Sequence, residues 1–143
     1  MMIKQLSIFL ENKAGRLAEV TDLLAKSKIN IRALSLADSA DFGILRLIVN
    51  NAAAGAACLK KAGMVVQATD VIAAEIQDKP GGLSSVVKHF DRGGINVEYM
   101  YAFVEKIQNR AIVIFKVKNP AKAVKVLNKA GVSLVCSHAL QGL

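Results

Sequence analysis

The chain contains an internal repeat, and this repeat constrains its fold more than any other feature. Residues 11–17 (ENKAGRL) match residues 77–83 (QDKPGGL), so Gly15 lies 66 positions before Gly81. The same offset aligns residues 29–31 (INI) with residues 95–97 (INV). After two extra residues in the second half, residues 61–63 (KAG) align with residues 129–131 (KAG). An offset that holds over several separate anchors indicates a duplicated structural unit.

Each copy of the repeat has the same predicted order of strands and helices. Alternating apolar residues indicate strands, and apolar residues spaced three or four apart indicate helices. In the first copy we predict strands at 4–10, 31–38, 42–49 and 64–68, and helices at 15–26 and 51–62. In the second copy we predict strands at 71–76, 97–105, 110–117 and 132–137, and helices at 81–91 and 121–130. Asn119 and Pro120 suit a helix start, and Gly63 and Gly131 suit helix ends.

The order βαββαβ is that of a ferredoxin-like unit, in which an antiparallel sheet carries two helices on one face. The sequence therefore predicts an α+β protein with two such units in tandem. We place the units at residues 1–69 and 70–143, with a junction of only about three residues near Thr69. Short junctions favour units that pack closely.

Side-chain size predicts which face of each sheet meets the helices. Leu34 and Leu36 are bulky and alternate with small residues, so we expect them, and Met100 at the equivalent position, to face the helices. The opposite row in the second unit is aromatic and consists of Tyr99, Tyr101 and Phe103. Three aromatic side chains on an uncovered face form an apolar patch that needs a cover. A homodimer through this open face is the expected cover; a loop, or an exchange of the two faces, is the alternative.

Composition narrows the classes of partner. Nineteen Lys and Arg residues against eleven Asp and Glu residues give a net charge of +8. The basic residues are spread over both halves without a block of five, which indicates solvated helix faces more than a nucleic-acid surface. No run of about 18 apolar residues is present, so we expect no membrane span. We expect Cys58 and Cys136 to be buried, reduced thiols of a cytoplasmic protein, and we expect no metal ion and no cofactor.

The two glycine-containing loops are the candidate binding sites. Each joins a strand to a helix, and a helix start offers unpaired N–H groups and partial positive charge to a carboxylate. Glycine lets a ligand approach the backbone. Asn12 and Asp78 add a polar side chain to these loops. The alternative is that both loops are ordinary turns, because Asn or Asp near Gly or Pro is common in turns.

The loop, the amphipathic helix and the following Ile-Asn-Ile or Ile-Asn-Val resemble those of ACT domains, and the resemblance covers nearly the whole chain. It implies a regulatory pair that binds a free amino acid and acts on a metabolic enzyme, with ligands held where two domains pair. One implied site joins the first loop to Asn96, and the other joins the second loop to Asn30. The residues implied are Asn12, Ala14, Gly15, Arg16, Leu17, Asn30, Ile31, Asp78, Pro80, Gly81, Gly82, Leu83, Asn96 and Val97.

The two implied sites are not equivalent, because Asp78 replaces Asn12 and Gly82 replaces Arg16. Asp78 favours a ligand with an additional positive charge, whereas Arg16 offers a charged hydrogen bond to a carboxylate.

Three other functions remain open from the sequence. RNA binding fits the fold class, but the third strand of the second unit (RAIVIFKV) lacks the stacking aromatics of RNA-recognition modules. A pure protein-interaction module overlaps with the regulatory interpretation. An enzyme is disfavoured because no catalytic constellation is apparent; His89 lies at a helix position equivalent to Leu23, where a partly buried packing role is expected.

Overall fold

The computed structural model describes residues 2–38, 41–104 and 108–141, and they form six strands and five helices. The strands are β1 (Ile3–Glu11), β2 (Ile31–Asp38), β3 (Phe42–Val49), β4 (Val65–Gln77), β5 (Val97–Ala102) and β6 (Arg110–Val117). The helices are α1 (Arg16–Lys26), α2 (Ala52–Lys61), α3 (Gly82–Arg92), α4 (Pro120–Lys129) and α5 (Ser137–Gln141). The chain divides into two compact units, residues 4–69 and residues 70–140. Within the described part of the chain, no helix has both the length and the apolar character needed to cross a membrane.

The first unit is an antiparallel sheet with both helices packed on one face. Its strands lie in the order β2-β3-β1-β4, and Leu6 of β1 pairs with Leu47 of β3. Every second residue of β1 and β3 joins one core with α1 and α2, because successive strand residues point to opposite faces. The core residues are Leu6, Ile8, Leu10, Val20, Leu24, Ile29, Leu45, Leu47, Val49, Leu59 and Val66.

The second unit repeats this arrangement with strands in the order β4-β6-β5. Its core contains Phe90 of α3 and Phe115 of β6, whose rings meet edge to face with centroids 5.0 Å apart. Such aromatic geometry adds to the stabilisation from burial alone. Asn119 caps α4 by accepting a hydrogen bond from the amide of Lys122, and Asn51 caps α2 in the same way through Ala54. The predicted α+β fold of two ferredoxin-like units is confirmed.

Two element predictions were wrong. The strands predicted separately at 64–68 and 71–76 form one strand, β4, which runs without a break from Val65 to Gln77. The predicted strand at 132–137 is reduced to a single bridge between Ala74 and Leu134, and α5 begins at Ser137. The predicted end of β5 at Glu105 and the tip of the β2–β3 turn at Ser39 and Ala40 lie outside the described residues.

The sheet face opposite the helices is not the open surface that the sequence predicted. Tyr99, Tyr101 and Phe103 are half-buried, and Ile112 and Ile114 beside them on β6 are buried. β6 is apolar on both faces, as is typical of a strand that is buried on both sides. The surface proposed from sequence for a homodimer is therefore not a free aromatic patch.

Exposed apolar side chains occur on the two edge strands, β2 and β5. Leu34 and Leu36 pair with core residues of β3 and so lie on the helix side, as predicted, yet they are 42% and 52% exposed. Met100 of β5 is similarly exposed at the outer edge of its unit. The edge position explains this, because the helices pack over the inner strands. Cys136 is also exposed, contrary to expectation, since α5 replaces the predicted buried strand.

Candidate functional site

The two glycine loops have matching backbone hydrogen bonds and matching glycine conformations. The amide of Asn12 donates to the carbonyl of Asp41 at 3.1 Å, and the amide of Asp78 donates to the carbonyl of Asn109 at 2.9 Å. Gly15 and Gly81 then adopt left-handed φ values of 91° and 85°, a region that glycine enters without strain. These bonds fix each loop as a turn that leads directly into a helix. We call the two loops, with the first turns of their helices, the first corner (12–18) and the second corner (78–84).

Both corners present backbone donors without acceptors. In the first corner the amides of Arg16 and Glu19 bond to Lys13 and Gly15, and no described group accepts from the amides of Leu17 and Ala18. The equivalent bonds in the second corner leave the amides of Leu83 and Ser84 in the same condition. Neither helix has a side-chain cap. Each corner therefore has two unpaired N–H groups at the positive end of a helix dipole, which suits a carboxylate.

Charged side chains surround the first corner. Glu11 lies 3.3 Å from the ammonium of Lys13 and 3.5 Å from the guanidinium of Arg16, which also contacts Glu19 at 3.0 Å. The hydrogen bond from Lys13, its positive charge and that of Arg16 lower the pKa of Glu11 below its ordinary value. Arg16 is thus already paired with two carboxylates of its own chain. The guanidinium of Arg16 is therefore less available to bind a ligand carboxylate than the sequence suggested.

In the second corner the start of α3 lies directly against the end of β4. Gly82 is buried, and a Cβ at this position would overlap the backbone carbonyl oxygen of Gln77. This contact explains why Gly82 stands where the first unit has Arg16. No side chain fits between α3 and β4 at this point. Tight packing therefore accounts for Gly82 in place of Arg16. The same replacement removes a positive charge from the second corner.

Each corner opens onto a cavity. The first lies beside Asn12, Arg16 and Leu17, has a volume of about 320 Å³, and is also lined by Leu36 and Gly43. Asp78 lines a separate cavity of about 360 Å³ together with Asn109 and Arg110. These volumes are at the lower end of the range for small-molecule sites. The two corner residues singled out from sequence, Asn12 and Asp78, therefore both face solvent-accessible concave surface.

A second cavity, of about 470 Å³, also borders the second corner. Pro80, Gly81 and Gly82 line it, together with Ser85 and His89, which are one helical turn apart on α3. Sequence reasoning missed Ser85 and Arg110 as lining residues and interpreted His89 only as partly buried, which it is. The four-residue spacing of Ser85 and His89 was the available signal, since residues i and i+4 share a helix face.

The two asparagines of the Ile-Asn motifs lie at the opposite end of their own sheets from the corners. Glu11 at the first corner pairs with Phe42 at the start of β3, whereas Ile31 after Asn30 pairs with Val49 at its end. The same register separates Asn96 from the second corner. Asn30 exchanges two hydrogen bonds with Asn50, which gives it a role in the fold. Within each unit, the corner and the asparagine therefore lie at opposite ends of the sheet.

The remaining residues implied by the resemblance form two groups. Some pack against the cores, and the others lie at the corners. Ile31 and Val97 are partly buried against the two cores, so packing accounts for both. Leu17 and Leu83 are exposed at the starts of their helices, and Ala14 is exposed within the first corner. These three residues therefore stay within reach of a ligand at the corners.

The fold and the corners together define a tandem pair of ferredoxin-like units that each carry a glycine corner at the start of a helix. A family model described as an ACT domain pair matches residues 1–143. The chain therefore belongs to the ACT domain pair family.

Solved structures agree with this assignment. A protein from Bacteroides thetaiotaomicron is 42% identical, with a TM-score of 0.93 over 100% of this chain and 98% of that chain. The regulatory subunit of aspartate kinase from Thermus thermophilus is 15% identical, with a TM-score of 0.61 over 89% of this chain and 91% of that one. Its counterpart from Thermus flavus gives 15% identity and a TM-score of 0.60 over 90% and 92%. The two kinase subunits share the fold with this chain. A search of curated proteins gave no match.

Proposed function

We propose that this chain is a cytoplasmic regulatory protein that binds a free amino acid at its glycine corners and thereby modulates an enzyme of amino-acid metabolism. The observation that carries the proposal is the pair of unpaired amide donors at the start of α1 and again at the start of α3. A free amino acid has a carboxylate to accept these donors. Membership of the ACT domain pair family supports the regulatory part of the proposal.

A polar side chain in each corner supplies an acceptor for the ammonium group of an amino acid. An amino acid at neutral pH also carries an ammonium group, which needs an acceptor. Asn12 has a neutral amide oxygen beside the first cavity, and Asp78 has a carboxylate beside the second. We therefore assign the α-carboxylate to the helix amides and the ammonium or side chain to these loop residues. The site residues remain those inferred from sequence, centred on Asn12, Gly15, Asp78 and Gly81.

The arrangement of the sheets bears on the proposed contribution of Asn30 and Asn96. Both lie at the far end of their own sheets, so we keep the proposal that each corner is completed by an asparagine from another ACT unit. We likewise propose one ACT unit on each side of the position between Thr69 and Asp70.

A thermal-stability screen tests the function. A ligand that binds only the folded protein raises the melting temperature, and at 100 times its Kd it stabilises the fold by about 2.7 kcal/mol. Each of the twenty amino acids is added at millimolar concentration, with its decarboxylated amine as the matched control. We expect at least one amino acid to raise the melting temperature while its amine does not. No shift with any of them contradicts the proposal.

A further inference from the structure

Two cavities lie along α3 and share part of their lining. One is the cavity of about 470 Å³ that borders the second corner, and the other has a volume of about 230 Å³ and reaches Arg92 near the end of the helix. Gly81, Ser85 and His89 line both cavities, which therefore form one groove. We call it the basic groove, after the polar side chains along α3 and the preceding loop, which are those of Lys79, Ser84, Ser85, Lys88, His89 and Arg92.

The positive charges of the basic groove have no partner in the part of the chain that the structure describes. No described residue forms an ion pair or a hydrogen bond with the side chain of Lys79, Lys88 or Arg92. Glu75 also lines the larger cavity, but its carboxylate is already paired with Arg110 at 2.8 Å. The groove thus presents three uncompensated positive charges. In the first corner, by contrast, the ammonium and the guanidinium are both paired with carboxylates.

The fold does not require these groups, because α1 packs on its own sheet without them. With the repeat offset of 66 residues, Ser85 corresponds to Glu19. Lys88 corresponds in the same way to Asp22. Glu19 is paired with Arg16 at 3.0 Å, so the first unit has an ion pair where the second has a hydroxyl. Since the buried faces of the two helices are equivalent, a requirement of the surface explains the basic residues of α3.

The groups in the basic groove match a phosphate monoester better than an amino acid. A phosphate monoester carries a charge of about −1.5 to −2 at pH 7 and three strong acceptor oxygens. Ser84, Lys88 and Arg92 follow one another at single helical turns and donate hydrogen bonds from a hydroxyl, an ammonium and a guanidinium group. A guanidinium also binds phosphate through two parallel hydrogen bonds. An amino acid instead brings an ammonium group, which the uncompensated positive charges repel.

We propose that the basic groove binds a small phosphorylated metabolite. The phosphoryl group lies in the smaller cavity, between the side chains of Ser85, Lys88 and Arg92. The organic group lies in the larger cavity, which Val86 and Val132 help to line and whose volume of about 470 Å³ is within the range of small-molecule sites. No amide of the corners takes part, so this inference goes beyond the proposed amino-acid binding and does not depend on it.

Calorimetric titration at constant ionic strength tests the proposal. The probes are inorganic phosphate and glucose 6-phosphate, and potassium chloride keeps the screening of charges the same in every titration. Glucose and succinate are the matched controls, because glucose lacks the phosphoryl group and succinate carries two negative charges without one. A short single-stranded RNA distinguishes the phosphate of a small molecule from the phosphates of a nucleic-acid backbone.

Three variants locate the bound phosphate. The double variant Ser85→Glu and Lys88→Asp introduces the residue types that the first unit has at these positions. A single Arg92→Gln variant is the milder change in the groove. The control is Lys125→Asp, which makes the same change of charge as Lys88→Asp at an exposed position of α4 outside both cavities.

We expect inorganic phosphate and glucose 6-phosphate to bind the wild type saturably, and glucose and succinate to bind much more weakly. The double variant should weaken the binding of glucose 6-phosphate at least about tenfold, the size of one lost hydrogen bond to a charged group. Arg92→Gln should weaken it several-fold, and Lys125→Asp should keep the wild-type affinity.

The proposal is overturned if neither phosphate compound binds the wild type saturably. Succinate or the RNA binding as tightly as glucose 6-phosphate overturns it too, as does an equal loss of affinity in the Lys125→Asp control and the double variant. A double variant that folds by circular dichroism and binds like the wild type has the same consequence. If the double variant does not fold, an unchanged affinity in Arg92→Gln decides against the proposal.

Discussion

The carboxylate of Glu75 lies 2.8 Å from the guanidinium of Arg110, at the two positions that Phe9 and Phe42 occupy in the first unit. Duplication therefore preserved the backbone while the surface chemistry diverged. The corners also combine a preserved backbone with changed side chains. Their backbone hydrogen bonds match one for one, although Asn12 is replaced by Asp78 and Arg16 by Gly82. Each unit thus serves as an internal control for the other, and the predictions below use this property.

Exchanging the loop residues should exchange the charge preference of the corners. Asp78 places a negative charge beside its cavity where Asn12 is neutral. We expect Asp78→Asn to weaken binding of a cationic amino acid about 10- to 150-fold relative to a neutral one, the size of a typical charged hydrogen bond. Asn12→Asp should shift the first corner in the opposite direction. Calorimetric titration with both ligand types measures the ratio. Equal affinity ratios in the wild type and both variants would show that these side chains face no ligand.

A side chain at Gly82 should destabilise the second unit. Its Cβ would overlap the carbonyl oxygen of Gln77, and backbone atoms cannot move aside as a flexible side chain does. We expect Gly82→Ala to lower the free energy of unfolding by about 1–3 kcal/mol, as overpacking does. The matched control is Arg16→Ala at the equivalent position of the first unit. There we expect a loss of at most about 1 kcal/mol, because the ion pairs removed are at the surface.

Urea unfolding of both variants measures these changes. Equal losses in the two variants would mean that α3 does not start against the end of β4 as described.

The stabilising effect of Glu11 should depend on pH. Lys13, by hydrogen bonding and by charge, and Arg16 lower the pKa of Glu11 in the folded protein. A folded-state pKa below the unfolded one, about 4.3 for Glu, stabilises the protein above that pH. This stability is lost as the pH falls through the folded-state pKa. We expect Glu11→Gln to lower the melting temperature slightly at pH 7 and to have a smaller effect as the pH falls through the folded-state pKa of Glu11. A decrease of the same size above and below that pKa would contradict this assignment.

The fold could be predicted because its signals are local and repeated. Gly15 and Gly81 adopt the backbone conformation that only glycine enters easily, and Asn119 caps a helix as its sequence context indicated. The strand predicted after Gly131 was wrong, since only one bridge at Leu134 attaches this segment to β4. Pairing of this kind depends on which neighbouring strand is in reach, which no local pattern encodes.

The candidate site was predicted less completely than the fold. The corner loops carry a recognisable motif, whereas Arg110 comes to the second corner only through strand pairing. The exposure of Leu36 likewise follows from the edge position of β2, which the alternation of its residues does not reveal. Residues brought together by tertiary structure give no signal at a fixed spacing in the sequence.

Amide chemical shifts test the central claim most directly. The four unpaired amides of Leu17, Ala18, Leu83 and Ser84 are the groups to which we assign the ligand carboxylate. In a titration of the ¹⁵N-labelled chain with the amino acid that gives the largest thermal shift, the amide protons of at least one pair should move downfield and saturate. Saturating shifts confined to other parts of the chain, or unchanged positions of all four amides, would contradict binding at the corners.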